Sequence, residues 1–207
     1  MLKLYDYMDS GNGYKIRLLL SHLKKPYQWY GVDIDGGETK SKEYLKINAN
    51  GKIPVIELDN GKRLAESNAI LYYLAQNTTY FSDDTYEQGK IMEWLFFEQY
   101  EHEPYIAVSR YIMRHLPQGH ERYEELPKLK EKGKRALKLM DRHLETQSYF
   151  VANRLTIADI ALFAYTHVAE QGGFDLEPYA NICAWIGKVQ SQANHIDIKW
   201  QPNADMN

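Results

Sequence analysis

Apolar and polar residues alternate in part over residues 2–7, which predicts a short β-strand at the start of the chain. Between Tyr14 and Leu23 the apolar residues recur three and four positions apart, the spacing of an amphipathic helix. Aromatic and β-branched residues in 26–34 predict a second strand. A strand, a helix and a strand in this order predict a right-handed crossover with two parallel strands.

The segment IPVIELDNGKRLAE, residues 53–66, predicts a β-hairpin. Asn60 and Gly61 stand between two strand-like runs, and Asn-Gly is the sequence typical of a two-residue type I′ turn. A loop with a short helix precedes the hairpin over 36–50, and the run ESNAILYYLAQN predicts a helix after it. Residues 1–77 are therefore expected to form a compact α/β domain.

The pattern changes after residue 77. Residues 78–84 are polar and irregular and predict a linker, and 85–207 are expected to form an all-helical domain. The last residues, 197–207, show too little periodicity to predict an element. Apolar residues at helical spacing predict four long helices in this second domain, over 85–116, 121–145, 157–170 and 179–192.

Composition restricts the class of protein. The 207 residues carry a net charge of −3 and are 44% hydrophobic, 26% charged and 13% aromatic, which is ordinary for a soluble globular protein. No block of like charge indicates a nucleic-acid partner, and no apolar run approaches the ~20 residues of a membrane span. The N-terminus lacks the features of a signal peptide. A cytoplasmic protein is expected.

The metal-binding and disulfide residues exclude further classes. A single cysteine, Cys183, rules out an internal disulfide framework and a CxxC motif. The seven histidines show no spacing typical of a metal site, so no metal is expected.

Three polar junctions could hold chemistry, and each also has a structural interpretation. In DSGNGYKIRLLL a strand passes into a helix at Ser10, which could cap the helix or help form an anion site at its N-terminus. In LAESNAI, Ser67 could cap a helix, or Glu66 and Ser67 could bind an ammonium and a carboxylate. Pro54 opens a strand, where a trans bond is the ordinary form. Locally, the structural interpretation is favoured each time.

A fourth junction, RLTIADIALFAY, is interpreted as structural. Thr156 is a good N-cap, and Asp159 stands three residues later, as in a capping box. Leu155 and Ile160 have the positions of a hydrophobic staple.

The four segments SGNGYKIRLLL, NGKIPVIEL, LAESNAILYYLA and RLTIADIALFAY, in this order and at these separations, strongly resemble the glutathione S-transferase family. The resemblance covers essentially the whole chain. It implies a thioredoxin-like N-terminal domain of four strands and three helices followed by an all-α domain, in agreement with the elements predicted above. It also implies a homodimer.

The resemblance also implies a glutathione site. Pro54 would be cis and Ile53 would offer its backbone to the cysteinyl part of glutathione. Glu66 and Ser67 would hold the γ-glutamyl end. Lys52 would reach the glycyl carboxylate. Gln99 is a candidate to reach the γ-glutamyl group bound by the partner subunit.

The anion at the first helix would then be the glutathione thiolate. Ser10 resembles the serine of the serine-type, bacterial-type members, Asn12 either supports it or donates directly, and Tyr7 is the reserve candidate. The absence of cysteine from 8–14 argues against the cysteine-type members.

The expected activity is glutathione attack on a small hydrophobic electrophile, or reduction of an organic peroxide. One alternative is a glutathione-dependent disulfide oxidoreductase, and another is a non-catalytic interaction module, which the intact SGN, IPV and ES positions disfavour. The candidates for the second-substrate pocket are Met8, Tyr105, Ser109, Met113 and Trp200.

Overall fold

The structure, a computed structural model, describes residues 1–201. Its contacts divide the chain into two compact units. The first unit contains Met1–Gln76 and the segment that begins at Ala193, and the second contains Asn77–Gln192. The domain bounds proposed above, 1–77 and 85–207, stay predictions. No helix of the described residues is long and apolar enough to cross a membrane.

The first unit is built on a four-stranded mixed sheet with the order β2-β1-β3-β4. β1 pairs in parallel with β2, as the crossover pattern predicts, and antiparallel with β3, which pairs antiparallel with β4. Leu4 and Ile56, which face each other across β1 and β3, are fully buried. The strands are Lys3–Asp6 (β1), Gln28–Gly31 (β2), Val55–Glu57 (β3) and Arg63–Ala65 (β4).

Three α-helices accompany this sheet: Gly11–His22 (α1), Lys42–Leu45 (α2) and Ser67–Ala75 (α3), with a 3-10 turn at Glu38–Lys40. α1 begins three residues before the predicted start at Tyr14, because Ser10 caps it. The buried residues of α1 include Ile16, Leu19 and Leu20, which the periodicity assigned to its apolar face.

The hairpin forms where the sequence predicts it, but its turn is different. Leu58 N donates to Lys62 O, and Gly61 N donates to Leu58 O, both at 2.8 Å. Gly61 has φ 78, and Asn60 is not among the described residues with positive φ. The type I′ prediction is therefore wrong: the loop has three residues, with glycine at the left-handed position, the second commonest hairpin form.

The second unit is helical, and none of its described residues lies in a strand. The helix predicted over 85–116 is interrupted. A π-helical segment, Glu98–His102, separates two α-helices, and Pro104 lies at the start of the second. Proline lacks the N–H that a continuous helix would use there, which explains the break. The α-helices are Thr85–Phe97 (α4), Glu103–His115 (α5), Leu126–Leu144 (α6), Ile157–Thr166 (α7) and Ala180–Gln190 (α8).

Two more predicted helices in this unit are shorter than their patterns suggest. Residues Glu121–Glu125 form a 3-10 turn before α6, where Pro127 stands in the first turn. α7 ends at Thr166, and a separate 3-10 turn covers Ala169–Gly172. The capping box predicted at Thr156 and Asp159 is confirmed.

The segment after α8 returns to the first unit and packs along α1. Ser21 Oγ donates to Asn194 O, Tyr14 Oη to Ile196 O and an Arg17 Nη to Ile198 O, each at 2.7 Å. Three hydrogen bonds to successive turns of one helix hold this segment along α1.

Candidate functional site

The N-terminus of α1 is the first part of the site. Ser10 has extended backbone angles, φ −77 and ψ 123, and its Oγ accepts a hydrogen bond from Gly13 N at 3.2 Å. Its own N–H donates to Tyr7 O at 2.9 Å. The capping interpretation of Ser10 is confirmed. The cap is only half-buried, so the hydroxyl proton and the positive end of the helix dipole can still act on an anion.

A buried ion pair supports this turn from below. Asp6 is fully buried and accepts Arg17 Nε at 2.9 Å and the Tyr7 N–H at 2.7 Å. Burial raises the pKa of Asp6 to about 6, and the Arg17 charge opposes that rise. A Cβ on Gly13 would overlap the Asp6 carboxylate, with Oδ1 as the nearest atom. Glycine at this position therefore lets the first turn of α1 lie directly on the carboxylate.

The second part is the loop before β3. The Ile53–Pro54 bond is cis, as the resemblance implies, so the trans bond favoured by the local sequence is wrong. Lys52 O accepts hydrogen bonds from Tyr44 Oη at 3.0 Å and Asn48 Nδ2 at 2.7 Å. The Lys52 side chain is exposed, which leaves its ammonium at the surface for an anion.

The third part is the start of α3. Glu66 occupies the N-cap position with φ 70 and is exposed, and Ser67 is the first residue of the helix. The interpretation of Ser67 as the N-cap is therefore wrong, because its hydroxyl bonds to another part of the fold instead of to the first turn of α3.

Those bonds connect the start of α3 to the start of α1. Ser67 Oγ donates to Asn12 Oδ1 at 3.2 Å, and Lys15 Nζ donates to Ser67 Oγ at 3.2 Å and to Asn68 Oδ1 at 3.4 Å. Lys15 is fully buried. The fold thus brings the predicted thiol residue Asn12 and the predicted γ-glutamyl residue Ser67 into direct contact.

Lys15 is the residue that sequence analysis missed. A weak signal existed, because Lys15 and Arg17 both stand within the apolar run of α1, where cations are uncommon unless they are paired.

Tyr7 has a different environment from Ser10. Its Oη donates to Asp35 Oδ2 at 2.8 Å. Burial, together with Asp35, raises the pKa of the Tyr7 hydroxyl to about 12. A thiolate would need the Tyr7 hydroxyl proton, but Asp35 already accepts that proton. Ser10 and Asn12 are therefore better placed than Tyr7 to donate to a thiolate.

Two second-substrate candidates lie in the first unit. Arg17 donates to Met8 O at 2.8 Å and to Trp200 O at 3.1 Å. The Trp200 side chain, however, lines a groove of about 420 Å³ with Leu20, Ser21 and Lys24. These residues lie at or beyond the C-terminal end of α1, whereas Ser10 caps its N-terminus, and twelve residues span about 18 Å.

The other candidates lie in the helical unit. Gln99 is in the π-helical segment and donates to Glu98 Oε2 at 3.1 Å. Tyr105, Ser109 and Met113 follow one face of α5. The Lys132 ammonium lies over the Tyr105 ring, 5.0 Å from its centroid. Ser109 is fully buried, and Met113 is exposed. Their part in a second-substrate pocket stays a prediction.

Comparison with known proteins identifies two matching family models. Residues 1–76 match the glutathione S-transferase N-terminal domain, and residues 95–193 match the glutathione S-transferase C-terminal domain. Both α1 and the starts of β3 and α3 lie within the first match.

Individual proteins agree with these matches. A glutathione S-transferase structure from Pseudomonas fluorescens has 48% identity and a TM-score of 0.92, and the alignment covers 95% of this chain and 98% of that one. A structure described as a possible glutathione S-transferase, from Rhodopseudomonas palustris, has 41% identity and a TM-score of 0.93 over 99% and 92% of the two chains. The disulfide-bond oxidoreductase YfcG of Escherichia coli is 29% identical over 93% of this chain and 91% of its own.

Proposed function

Because this chain belongs to the glutathione S-transferase family, we propose that it binds glutathione on the first unit and activates the glutathione thiol as a thiolate at the N-terminus of α1. The thiolate then attacks a small hydrophobic electrophile, which forms a thioether and expels the leaving group. Alternatively it attacks an organic peroxide, which releases the alcohol, and a second glutathione then converts the oxidised sulfur to glutathione disulfide and water. Glutathione is a co-substrate in this proposal, and no metal takes part.

One observation carries the proposal: the hydrogen bond between Ser67 Oγ and Asn12 Oδ1, which joins residues 55 positions apart. The residues assigned to the γ-glutamyl end and to the thiol end of glutathione converge on one polar surface. Ser10, at the cap of the same helix as Asn12, lies at the edge of that surface.

The thiol chemistry requires modest stabilisation. A free thiol has a pKa near ~8.5, and lowering it by ~2 units needs ~2.7 kcal/mol. One or two hydrogen bonds to the charged sulfur, at ~1.5–3 kcal/mol each, are enough. The Ser10 hydroxyl, the Asn12 amide and the positive end of the α1 dipole supply such interactions.

The remaining contacts follow the same proposal. Glu66 holds the γ-glutamyl ammonium, the Ile53 backbone holds the cysteinyl unit and Lys52 holds the glycyl carboxylate. Met8, just before the α1 cap, is the candidate contact for the second substrate on the first unit, and Tyr105, Ser109 and Met113 are the candidates on the helical unit. Trp200 is no longer a candidate, because it lines a groove at the other end of α1. The protein is cytoplasmic.

We also propose a homodimer, in which Gln99 reaches the partner's glutathione. Phe96 and Tyr100, in the aromatic-rich stretch 94–100, are 57% and 72% exposed, as residues that a partner covers would be. Light scattering should return twice the monomer mass at micromolar concentration, and a monomer mass would contradict the dimer.

The test of the proposed function is the ultraviolet absorbance of the thiolate, titrated with pH at saturating glutathione. Ser10→Ala should raise the pKa of bound glutathione toward its free value and slow turnover at neutral pH. Asn12→Ala should act in the same direction.

Tyr7→Phe is the matched control, because its hydroxyl is bonded to Asp35. It should leave the titration near that of the wild-type protein. A wild-type curve in both Ser10→Ala and Asn12→Ala, with glutathione bound, would overturn the assignment, and a large shift in Tyr7→Phe would move the role to Tyr7.

A second candidate is glutathione-dependent disulfide reduction, which similarity to the disulfide-bond oxidoreductase YfcG favours. The lone cysteine, Cys183, lies on α8, and residues 8–14 around Ser10 contain no cysteine. Two glutathiones would therefore have to reduce the substrate disulfide. The first would form a mixed disulfide and release one thiol, and the second would release the other thiol as glutathione disulfide forms. Assays with a small disulfide and with an aromatic halide on the same preparation distinguish the two activities.

A further inference from the structure

The buried lysine of α1 has no assigned role. The Lys15 side chain is fully buried, although lysine is among the residues least often found inside proteins. A buried ammonium is retained only where it meets oxygen atoms that repay its loss of water. Two of those oxygens belong to Ser67 and Asn68, at the start of α3.

The contact with Ser67 sets the direction of one proton. A serine hydroxyl has one proton to donate and two lone pairs to accept with. Lys15 Nζ occupies one lone pair of Ser67 Oγ at 3.2 Å. The ammonium has no acceptor capacity, so the hydroxyl proton must point away from it. In the structure that proton is directed to Asn12 Oδ1.

The same geometry places a positive charge under a bound anion. A carboxylate that accepts the Ser67 hydroxyl proton in place of Asn12 Oδ1 would lie about 2.7 Å from Oγ, and therefore within about 6 Å of Lys15 Nζ. At this range, in a site partly screened from water, the attraction between unit charges is substantial.

We infer that Lys15 is a positioning residue for the γ-glutamyl carboxylate: it donates to the Ser67 oxygen, keeps the hydroxyl proton pointed away from its own ammonium so that the carboxylate can accept it in place of Asn12, and adds a positive charge near the carboxylate. This inference rests on the proposed function, because it needs glutathione bound at Ser67. Lys15 does not touch the thiol, so its contribution is to binding and not to ionisation of the sulfur.

The test compares two ligands by calorimetry: glutathione, and 4-aminobutyryl-cysteinyl-glycine, which lacks only the carboxylate in question. The wild-type protein should bind glutathione about 100-fold more tightly than this analogue, because the loss of the carboxylate leaves buried polar groups unpaired. Lys15→Met should lower the affinity for glutathione about 10-fold and leave the affinity for the analogue unchanged, so that the discrimination falls to about 10-fold.

Damage to the fold would act differently, because it would lower both affinities alike. Equal losses for the two ligands, or no loss for either, would overturn the inference. Lys24→Met removes an exposed lysine just after α1 and should change neither affinity. If Lys15→Met does not fold, Lys15→Arg and Lys15→Gln replace it: arginine should keep most of the discrimination and glutamine should lose it, and equal values would contradict the role.

The thiolate titration distinguishes a test of Lys15 from a test of the proposed function. The thiolate titration of bound glutathione should be the same in Lys15→Met as in the wild-type protein, whereas Ser10→Ala shifts it. A wild-type protein that binds no glutathione would overturn the proposed function and this inference together. A wild-type protein that binds and ionises glutathione, with a Lys15→Met variant that still discriminates fully, would overturn the inference alone.

Discussion

The N-termini of α1 and α7 have the same local design and different surroundings. Each begins at a hydroxyl residue, Ser10 or Thr156, and each has a fully buried aspartate against its first turn. At α7 the Asp159 carboxylate accepts four hydrogen bonds, from the N–H groups of Phe150, Thr156 and Trp185 and from the Thr156 hydroxyl, at 2.9 to 3.0 Å. The hydroxyl and the carboxylate of this cap are both enclosed by the protein.

At α1 the arrangement is open. Its aspartate, Asp6, lies beneath the turn and pairs with Arg17, while Ser10 and Asn12 stay half-buried at the top. The two caps therefore differ in accessibility, and the open helix end at Ser10 is accessible to the ligand that we propose. At the enclosed N-terminus of α7, the same kind of cap contributes to the stability of the fold.

The largest expected effect is at the enclosed cap. Asp159→Ala leaves the Trp185 indole N–H and two backbone N–H groups buried without an acceptor, so the free energy of unfolding should fall by about 3–5 kcal/mol. Urea unfolding followed by circular dichroism measures it. Asp84→Ala is the control, because Asp84 caps α4 from an exposed position and accepts one bond from Glu87 N at 2.9 Å. Asp84→Ala should lower the free energy of unfolding by about 1 kcal/mol. Equal losses in Asp84→Ala and Asp159→Ala would show that enclosing the cap adds no stability.

The next effect is at the support of α1. Gly13→Ala should lower the free energy of unfolding by about 2–4 kcal/mol and weaken glutathione binding, because the new Cβ would meet the Asp6 carboxylate. Gly187→Ala in α8 is the matched control. A Cβ there meets nothing within 4 Å, so the change should stabilise by about 0.5–1 kcal/mol. A stable Gly13→Ala variant would show that Asp6 can move away from the turn.

Both buried aspartates make stability depend on pH. Burial raises the pKa of Asp6 and of Asp159 from 3.8 to about 6, so the folded protein binds protons that the unfolded chain has already released between pH 4 and 6. The free energy of unfolding should therefore decrease as pH rises through this window, by up to about 1.4 kcal/mol per unit for each group.

Urea unfolding at pH 4.5, 5.5 and 7 measures this slope. Asp159→Asn and Asp6→Asn each remove one titrating group, and each should flatten it. An unchanged slope in both variants would contradict the assignment of this pH dependence to Asp6 and Asp159.

The smallest effect on stability is expected at the open cap. Ser10→Ala should cost only about 1 kcal/mol, because its hydroxyl accepts one backbone N–H at a half-exposed helix end. Thr156→Ala should cost more than Ser10→Ala. Chemical denaturation of the two variants under one set of conditions decides the order, and a reversed order would show that the α1 cap is primarily structural.

Local sequence alone determined most of the elements and two of the helix caps, those at Ser10 and Thr156. Strands 2–7 and 26–34, the hairpin after Pro54, the helix capped at Ser10 and the capping box at Thr156 all depend on residues within one or two turns of each other. The pattern also located the polar junctions that became the candidate site. It missed the break at Glu98–His102 and the three-residue turn at Gly61, because apolar periodicity is insensitive to one proline or one extra loop residue.

Only the tertiary structure decided how the polar side chains are used. Ser67 does not cap its own helix, because the fold places Asn12 and Lys15 closer to its hydroxyl. The burial of Lys15 against the start of α3 and the return of residues 193–201 along α1 likewise depend on segments far apart in the chain. The physical reason is that a hydrogen bond forms only within about 3.5 Å, and sequence spacing does not say which distant groups the packed core will bring to that distance.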